Sequence, residues 1–219
     1  MKFYKFKDNY SKKTQIGKLI CLARTYKKHA KEMKAEVTKE PILFLKPSSS
    51  VIFDGESIIY PSMSNCVHYE VELGLVIDKT CKNISSKQAM EYVLGYCVCL
   101  DITARDIQSK AKENGWPWSI AKGFDTFAPI SDIVLKKDKI NPNNLDISLE
   151  VNGKICQKSN TKNMVLSIEK IVEFVSKIMT LEEGDLILTG TPEGVGELHK
   201  GDFLKANLGD ICNIEVNVK

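Results

Sequence analysis

With 219 residues, 43% hydrophobic and 27% charged, the chain has the composition of a folded globular protein able to bury a sizeable core, which excludes wholesale disorder. The net charge of +3, from 31 Lys and Arg against 28 Asp and Glu interspersed along the chain, is too small and too dispersed for a nucleic-acid binder. The start, MKFYKFKDNY, lacks the apolar stretch of a secretory signal, and no apolar run approaches the roughly 18 residues of a membrane span, so no membrane partner is expected.

In chain order, residues 19–22 (LICL) read as a buried strand and 27–36 (KKHAKEMKAE) as a helix of strong helix formers. Strand-like runs follow at 42–45, 51–53 and 58–60, punctuated by Pro47, Gly55 and Pro61. The clearest strand is 69–77 (YEVELGLVI), in which Tyr69, Val71, Leu73, Leu75 and Ile77 alternate with Glu70, Glu72, Gly74 and Val76. Ser85, with Gln88 three residues on, predicts a helix start of the capping-box type. Residues 95–100 (GYCVCL) form a further strand, and Asp101 leads into a helix over 102–113 that ends at Gly115.

Residues 145–156 read as a hairpin turning on Asn152-Gly153. Ser167 caps an amphipathic helix with Ile168, Ile171, Val172, Val175, Ile178 and Met179 on its apolar face. A last strand pair brackets the glycine-rich turn 190–196. Many strands with three or four segregated helices make an α+β, β-rich chain. Without repeats or long linkers, a single domain is expected over 1–219, with 1–16 as a short lead-in.

Seven cysteines, at 21, 66, 81, 97, 99, 156 and 212, are odd in number and form no C-x-x-C pair. That pattern fits reduced thiols in a cytoplasmic or equivalent reducing compartment, with Cys97 and Cys99 as small core residues on one strand face. Only Arg24 and Arg105 among the 31 basic residues are arginines. A lysine-biased coding sequence explains this, and so does retention of arginine where a carboxylate needs a bidentate grip.

Glu70 and Glu72, two apart in a strand, project to one face, where their charges repel unless a cation lies between them. Asp101, at the end of the next strand, offers a third carboxylate, and an all-oxygen set suits Mg²⁺, Mn²⁺ or Ca²⁺ over zinc. Each residue also has an ordinary reading. The glutamates can line a solvated sheet face, Asp101 can be a helix N-cap, and His68 can be a fourth ligand or a hydrogen-bonded histidine beside the strand.

His29 and Glu32 lie three apart on a helix, where a carboxylate can fix the imidazole tautomer and raise its basicity, or simply form an exposed pair. Arg105 and Gln108 have the same spacing and can reach a ligand, or form an exposed face with an Asp101–Arg105 pair. Lys122, in WSIAKGFDTFAP, can stabilise an oxyanion or snorkel to water. TGTPEGVG (189–196) lacks the Lys-Ser/Thr of a phosphate loop, but its small residues let backbone N–H groups and the Thr191 hydroxyl approach an anion.

Taken in order, LARTYKKHAKEM, ILFLKP, HYEVELGLVI, GYCVCLDITARDIQ, PWSIAKGFDTFAP and EEGDLILTGTPEGVG closely resemble the fumarylacetoacetate hydrolase family, in its short acylpyruvase / oxaloacetate decarboxylase form. The likeness runs from about residue 17 to the end. It implies a mixed β-roll of stacked sheets with peripheral helices, usually a homodimer. It implies Glu70, Glu72 and Asp101 as ligands of Mg²⁺ or Mn²⁺ (a site Ca²⁺ could occupy in a crystal) and His29 with Glu32 as a water-activating pair. Lys122 and Gln108 would polarise substrate oxygens, Arg105 and Thr191 would hold a substrate carboxylate, and Arg24 would lie near the site. Ala23 and Thr25 depart from the Gly and Asn common in the family.

The implied activity is metal-dependent hydrolysis of the C–C bond of acylpyruvates to pyruvate and a carboxylic acid, with oxaloacetate decarboxylation through the same pyruvate enolate. The alternative is an isomerase or tautomerase of 2-oxo or 2-hydroxydienoic diacids, against which the His29–Glu32 pair argues, since such a reaction has no water to activate. A second alternative is a 2-oxo-acid or cation-binding protein without turnover.

Overall fold

The strand Val71–Ile77 is buried at every residue, so the chain alternates between two cores rather than between core and solvent. The computed structural model describes residues 1–7, 11, 13–32, 41–136 and 140–219. Val71–Ile77 lies inside a six-stranded sheet that runs in space Val134–Leu135, Val93–Leu100, Val71–Ile77, Leu186–Leu188, Leu19–Ala23, Ile42–Lys46. Neighbours are antiparallel except Leu19–Ala23 with Leu186–Leu188, which pair in parallel from Leu19↔Leu186 to Cys21↔Leu188.

One face of this sheet, with Leu73, Leu75, Val98 and Ile187, joins a core shared with Leu149, Leu204, Ile214 and Val216. These belong to a five-stranded sheet ordered Lys154–Asn160, Asp146–Val151, Phe203–Leu208, Cys212–Val218, Ser57–Ile58. The other face, with Val76, Cys97, Cys99 and Leu186, packs against Tyr4, Phe6 and Ile16. A three-stranded sheet of Gly196–Leu198, Val67–Tyr69 and Thr103–Ala104 closes one end. Stacked sheets with few helices match the expected β-rich α+β class.

Among the described residues four α-helices attach to this frame: α1 (Lys27–Glu32), α2 (Arg105–Glu113), α3 (Ser119–Lys122) and α4 (Ile168–Ile178). On α4 the Ser167 hydroxyl oxygen accepts from the Lys170 N–H at 3.4 Å, and Ile168, Ile171, Val172 and Val175 are fully buried. Each such burial is worth about 1.5–3 kcal/mol. Ile178, placed on the apolar face by the spacing, is half exposed at the frayed end. The hairpin turns at Asn152-Gly153 with both residues at positive φ (52° and 77°), as a two-residue type I′ turn requires.

Several expectations need correction. The single strand 69–77 is two strands, broken at Glu70, where the chain leaves the three-stranded sheet and enters the six-stranded one. The apolar period continues through the break because Val67 and Tyr69 before it, and Val71 and Leu73 after it, are all buried. The helix expected from Ser85 is a turn followed by a 3₁₀ segment, Ala89–Tyr92; the Ser85–Gln88 side-chain bond forms, but no periodic apolar stretch follows it. The helix expected over 102–113 starts at Arg105, after the short strand Thr103–Ala104, so Asp101 is not its N-cap. The strands flanking 190–196, Leu186–Leu188 and Gly196–Leu198, belong to different sheets. Residues 33–36 of the expected first helix lie outside the described residues.

Candidate active site

The sheet change at Glu70 brings three carboxylates together. Glu70 sits between the two strands, Glu72 is one residue into the next, and Asp101 follows Val93–Leu100 with its N–H donating to the Glu70 carbonyl at 2.8 Å. One oxygen from each of Glu70, Glu72 and Asp101 lies within 4.8 Å of the others, and all three residues are buried. The solvated-face reading of the two glutamates is therefore excluded.

Their partners differ. Glu70 pairs with the Arg105 guanidinium and with Lys122 Nζ at 3.0 Å. Burial opposes its ionisation, but Lys122 and Arg105 outweigh it and hold the carboxyl well below the usual range. Asp101 Oδ2 accepts from Lys122 Nζ at 2.5 Å, and Asp101 Oδ1 lies 2.8 Å from Lys46 Nζ. That ammonium spends its three protons on the carbonyls of Ile102, Lys122 and Phe127. Asp101 Oδ1 is thus a buried acceptor with no hydrogen-bond donor among the described residues.

Among the described residues, the Glu72 carboxyl accepts only the Gly190 N–H, at 2.7 Å. Burial, reinforced by the charges of Asp101 and Glu70, pushes its pKa well above the ordinary value. An orphaned carboxylate oxygen, a destabilised neighbouring carboxylate and an all-oxygen donor set fit a hard divalent cation.

The glycine-rich turn does approach an anion, and that anion is Glu72. Gly190 has φ 92°, and a Cβ there would fall 2.0 Å from Thr25 Oγ1. Thr25, one of the two departures from the family pattern, locks this contact by donating its hydroxyl to the Thr189 carbonyl at 2.7 Å. The loop entering α1 is thereby tied to the turn that steadies Glu72.

Above the triad opens a cavity of about 380 Å³. It is lined by Arg24, His29, Glu70, Glu72, Asp101, Arg105, Gln108, Lys122 and Thr191, all singled out from sequence. Both arginines of the chain are among them. Glu32 stands behind His29, its Oε2 3.2 Å from His29 Nδ1, and also accepts the Gly194 N–H at 3.1 Å. His29 is almost wholly buried, so the exposed-pair reading fails for the imidazole.

Arg105 reaches Gln108 Oε1 at 2.7 Å and His68 Nδ1 at 3.4 Å as well as Glu70; the Asp101–Arg105 pair does not form. With its oxygen accepting from Arg105, Gln108 keeps an amide N–H₂ as its remaining donor. Thr191 Oγ1 accepts from Gln157 Nε2 at 2.9 Å, which leaves its O–H as a donor. His68 bonds to Arg105 and Cys66 and lies outside the carboxylate cluster. Lys122 does not snorkel. Its three protons go to Glu70, Asp101 and Thr103, so it acts on a ligand through charge rather than a spare hydrogen bond. Burial lowers its pKa, but Asp101 and Glu70 reverse this and the net shift is upward.

The family description "Fumarylacetoacetate (FAA) hydrolase C-terminal" matches residues 18–219. The chain belongs to the fumarylacetoacetate hydrolase family. It is 42% identical over 201 residues to "Oxaloacetate tautomerase FAHD1, mitochondrial" of Homo sapiens, covering 92% of this chain and 91% of that one. A crystal structure of fumarylpyruvate hydrolase from Pseudomonas aeruginosa, in complex with Mn²⁺ and pyruvate, superposes with TM-score 0.93 at 34% identity, covering 98% of this chain and 94% of that one. The 2-hydroxyhepta-2,4-diene-1,7-dioate isomerase of Mycobacterium marinum gives 0.82 at 35% identity, over 94% and 75%.

The chain is therefore an enzyme of the fumarylacetoacetate hydrolase family, whose relatives are hydrolases, isomerases and tautomerases of small oxo acids. Sequence reasoning missed Lys46, Lys112, Gln157 and the aromatic pair Phe44–Trp118. A lysine closing the apolar run ILFLK was the one local signal for Lys46. The others act across contacts that no local pattern encodes.

Proposed function

We propose that this chain enolises small 2-oxo acids, interconverting the keto and enol forms of an oxaloacetate-type acid. The observation that carries this reading is the buried His29–Glu32 pair on the wall of the cavity whose floor is the carboxylate triad. Named relatives of oxaloacetate tautomerase type, at 42% identity over nine-tenths of both chains, support it.

Glu70, Glu72 and Asp101 would hold the cation, Mg²⁺ or Mn²⁺, which when bound supplies Lewis-acid polarisation of the keto group. The spare N–H groups of Arg105, the Gln108 amide and the Thr191 hydroxyl bind the substrate carboxylate. Glu32 accepts Nδ1–H of His29, which leaves Nε2 as the base. His29 takes a proton from the carbon beside the keto group. The charge that develops on the keto oxygen lies in the field of Lys122. Return of that proton to oxygen gives the enol; return to carbon regenerates the keto acid.

A second reading, hydrolysis of acylpyruvates, draws on the same residues. Glu32 is about one-third exposed, so water has access beside the pair. His29 deprotonates that water, hydroxide adds to the distal carbonyl and the C–C bond breaks. Pyruvate leaves as its enolate and takes the proton back, and the acyl half leaves as a carboxylic acid. The pair speaks against tautomerisation only if water is its sole possible acid; a C–H beside a keto group serves equally. A homodimer in a reducing compartment belongs to the same proposal.

The test follows the decay of enol oxaloacetate by ultraviolet absorbance, and product formation from oxaloacetate, acetylpyruvate and fumarylpyruvate, each with EDTA and with Mg²⁺ restored. Metal-dependent enol–keto exchange faster than any C–C cleavage supports the first reading. Pyruvate release from acylpyruvates with slow exchange installs the second, and absence of both leaves a binding protein.

A further inference from the structure

Lys112, in the last turn of α2, lines the cavity and takes no part in the chemistry above. Its ammonium lies 5.2 Å from the centroid of the Trp118 ring. Among the described residues it has no hydrogen bond and no carboxylate within ion-pair distance. This sets it apart from Lys122, whose protons are all spent, and from Arg105, which is fixed on Glu70 and Gln108. Partial desolvation and then the Arg105 charge push its pKa down, the Glu70 charge opposes them, and Lys122 and Arg24 act with Arg105, so that the net shift is downward. An ammonium on a cavity wall with no carboxylate in ion-pair contact among the described residues is a place where an arriving anion is stabilised.

What connects Lys112 to the floor is an aromatic wall. Lys122 Nζ lies 4.8 Å from the Phe44 ring, Phe44 lies 5.6 Å from Trp118, and Trp118 carries Lys112. The contacts along this wall thus run from an ammonium beside the carboxylate triad, over two rings, to a second ammonium. A short carbon chain with an acid at each end matches that order: keto acid on the floor, carbons against the rings, second carboxylate on Lys112. A 2-oxo monoacid leaves Lys112 unanswered.

We infer that Lys112, seated on Trp118, is the specificity residue for a distal carboxylate and makes this pocket select 2-oxo diacids over 2-oxo monoacids. The inference deepens the proposed function and rests on its placement of the 2-oxo acid over the triad. A lysine on a flexible stem suits this task, since it can follow the distal carboxylate over a range of chain lengths.

Lactate and malate, inert 2-hydroxy acids with the carbon skeletons of pyruvate and oxaloacetate, separate the two ends. Binding of each to the Mg²⁺-loaded protein is measured by calorimetry for wild type, Lys112→Met and Lys112→Arg. Loss of the charge-assisted contact should cut the malate-over-lactate preference about three- to tenfold in Lys112→Met. Lys112→Arg, which keeps the charge, should retain it. Met preserves the aliphatic stem on Trp118, so a change in malate affinity alone reports the charge and not lost packing. If wild type binds both acids equally, or Lys112→Met keeps the preference, the inference is wrong while the placement of the 2-oxo acid stands. If wild type binds neither acid, both the inference and the reading beneath it are overturned.

Discussion

Lys46 sets its ammonium 2.8 Å from Asp101 Oδ1 yet gives its protons to the carbonyls of Ile102, Lys122 and Phe127, at 2.9, 2.6 and 3.0 Å. One completely buried charge therefore fixes the backbone on both sides of the site, next to Asp101 and at Lys122 itself. Burial lowers its pKa, with the Asp101 charge opposing that shift. Lys46→Met should cost about 3–5 kcal/mol of stability, because it strands three carbonyls and takes away the ammonium that lies beside the buried Asp101 carboxylate. Chemical denaturation of the metal-free protein reads this, and a loss below about 1 kcal/mol would show that the cage is not needed for the fold.

Glu72 presents the opposite case, a carboxylate whose surroundings disfavour its charge. Among the described residues its one side-chain hydrogen bond comes from Gly190, and both neighbouring carboxylates repel it. Glu72→Gln should leave the metal-free protein as stable as wild type, or up to about 1 kcal/mol more stable, while Mn²⁺ affinity drops at least about tenfold. The opposed signs separate a ligand from a structural residue. Thermal melts with and without Mn²⁺, alongside calorimetric titration, would show them; equal loss of both properties would make Glu72 a packing residue.

How much of this was legible in sequence depended on whether the signal was local. Val71, Leu73, Leu75 and Ile77 announced a strand, since a period-two alternation of side-chain type is written in consecutive residues. The break at Glu70 was not written there, because it arises from which distant segments pair on each side: Gly196–Leu198 before it and Val93–Leu100 after it. Asp101 carried the marks of an N-cap, and only the intervening strand Thr103–Ala104 removes that role. Nine of the ten residues singled out from sequence line the cavity, and the signal for them was the order of the motifs that carry them. Lys112 stayed invisible because its environment is made by the packing of α2 on α3, and on its own helix it reads as one more solvated lysine.

The His29–Glu32 pair makes a graded kinetic prediction. His29 is the only group of the two on the cavity lining, and Glu32 acts through it. His29→Ala should lower kcat about 10²- to 10⁴-fold with little change in KM, the usual worth of a general base. Glu32→Gln should cost less in kcat, since it leaves the imidazole in place and alters only the partner that orients it. A His29→Ala enzyme with unimpaired kcat would remove the pair from the chemistry altogether.

Asp106 ties the segment before the three-stranded sheet onto α2, the helix that presents Arg105 and Gln108. Its carboxylate accepts from Ser64 Oγ at 2.6 Å and from the N–H groups of Asn65 and Ile107, each at 2.9 Å. Burial alone raises its pKa, but these bonds prevail and hold it below the ordinary value. A depressed carboxylate contributes stability that is complete above its unfolded pKa, roughly 4, and is lost as pH falls through the lower folded value. Asp106→Ala should therefore be less stable than wild type by about 1–2 kcal/mol at pH 7, by analogy with a lost helix cap. That gap should hold down to about pH 5 and narrow below about pH 4, as wild type takes up the proton that breaks its own contacts. Denaturant melts of both proteins across this range test the sign: a gap that widens on acidification would mean the carboxylate is strained rather than satisfied in the folded chain.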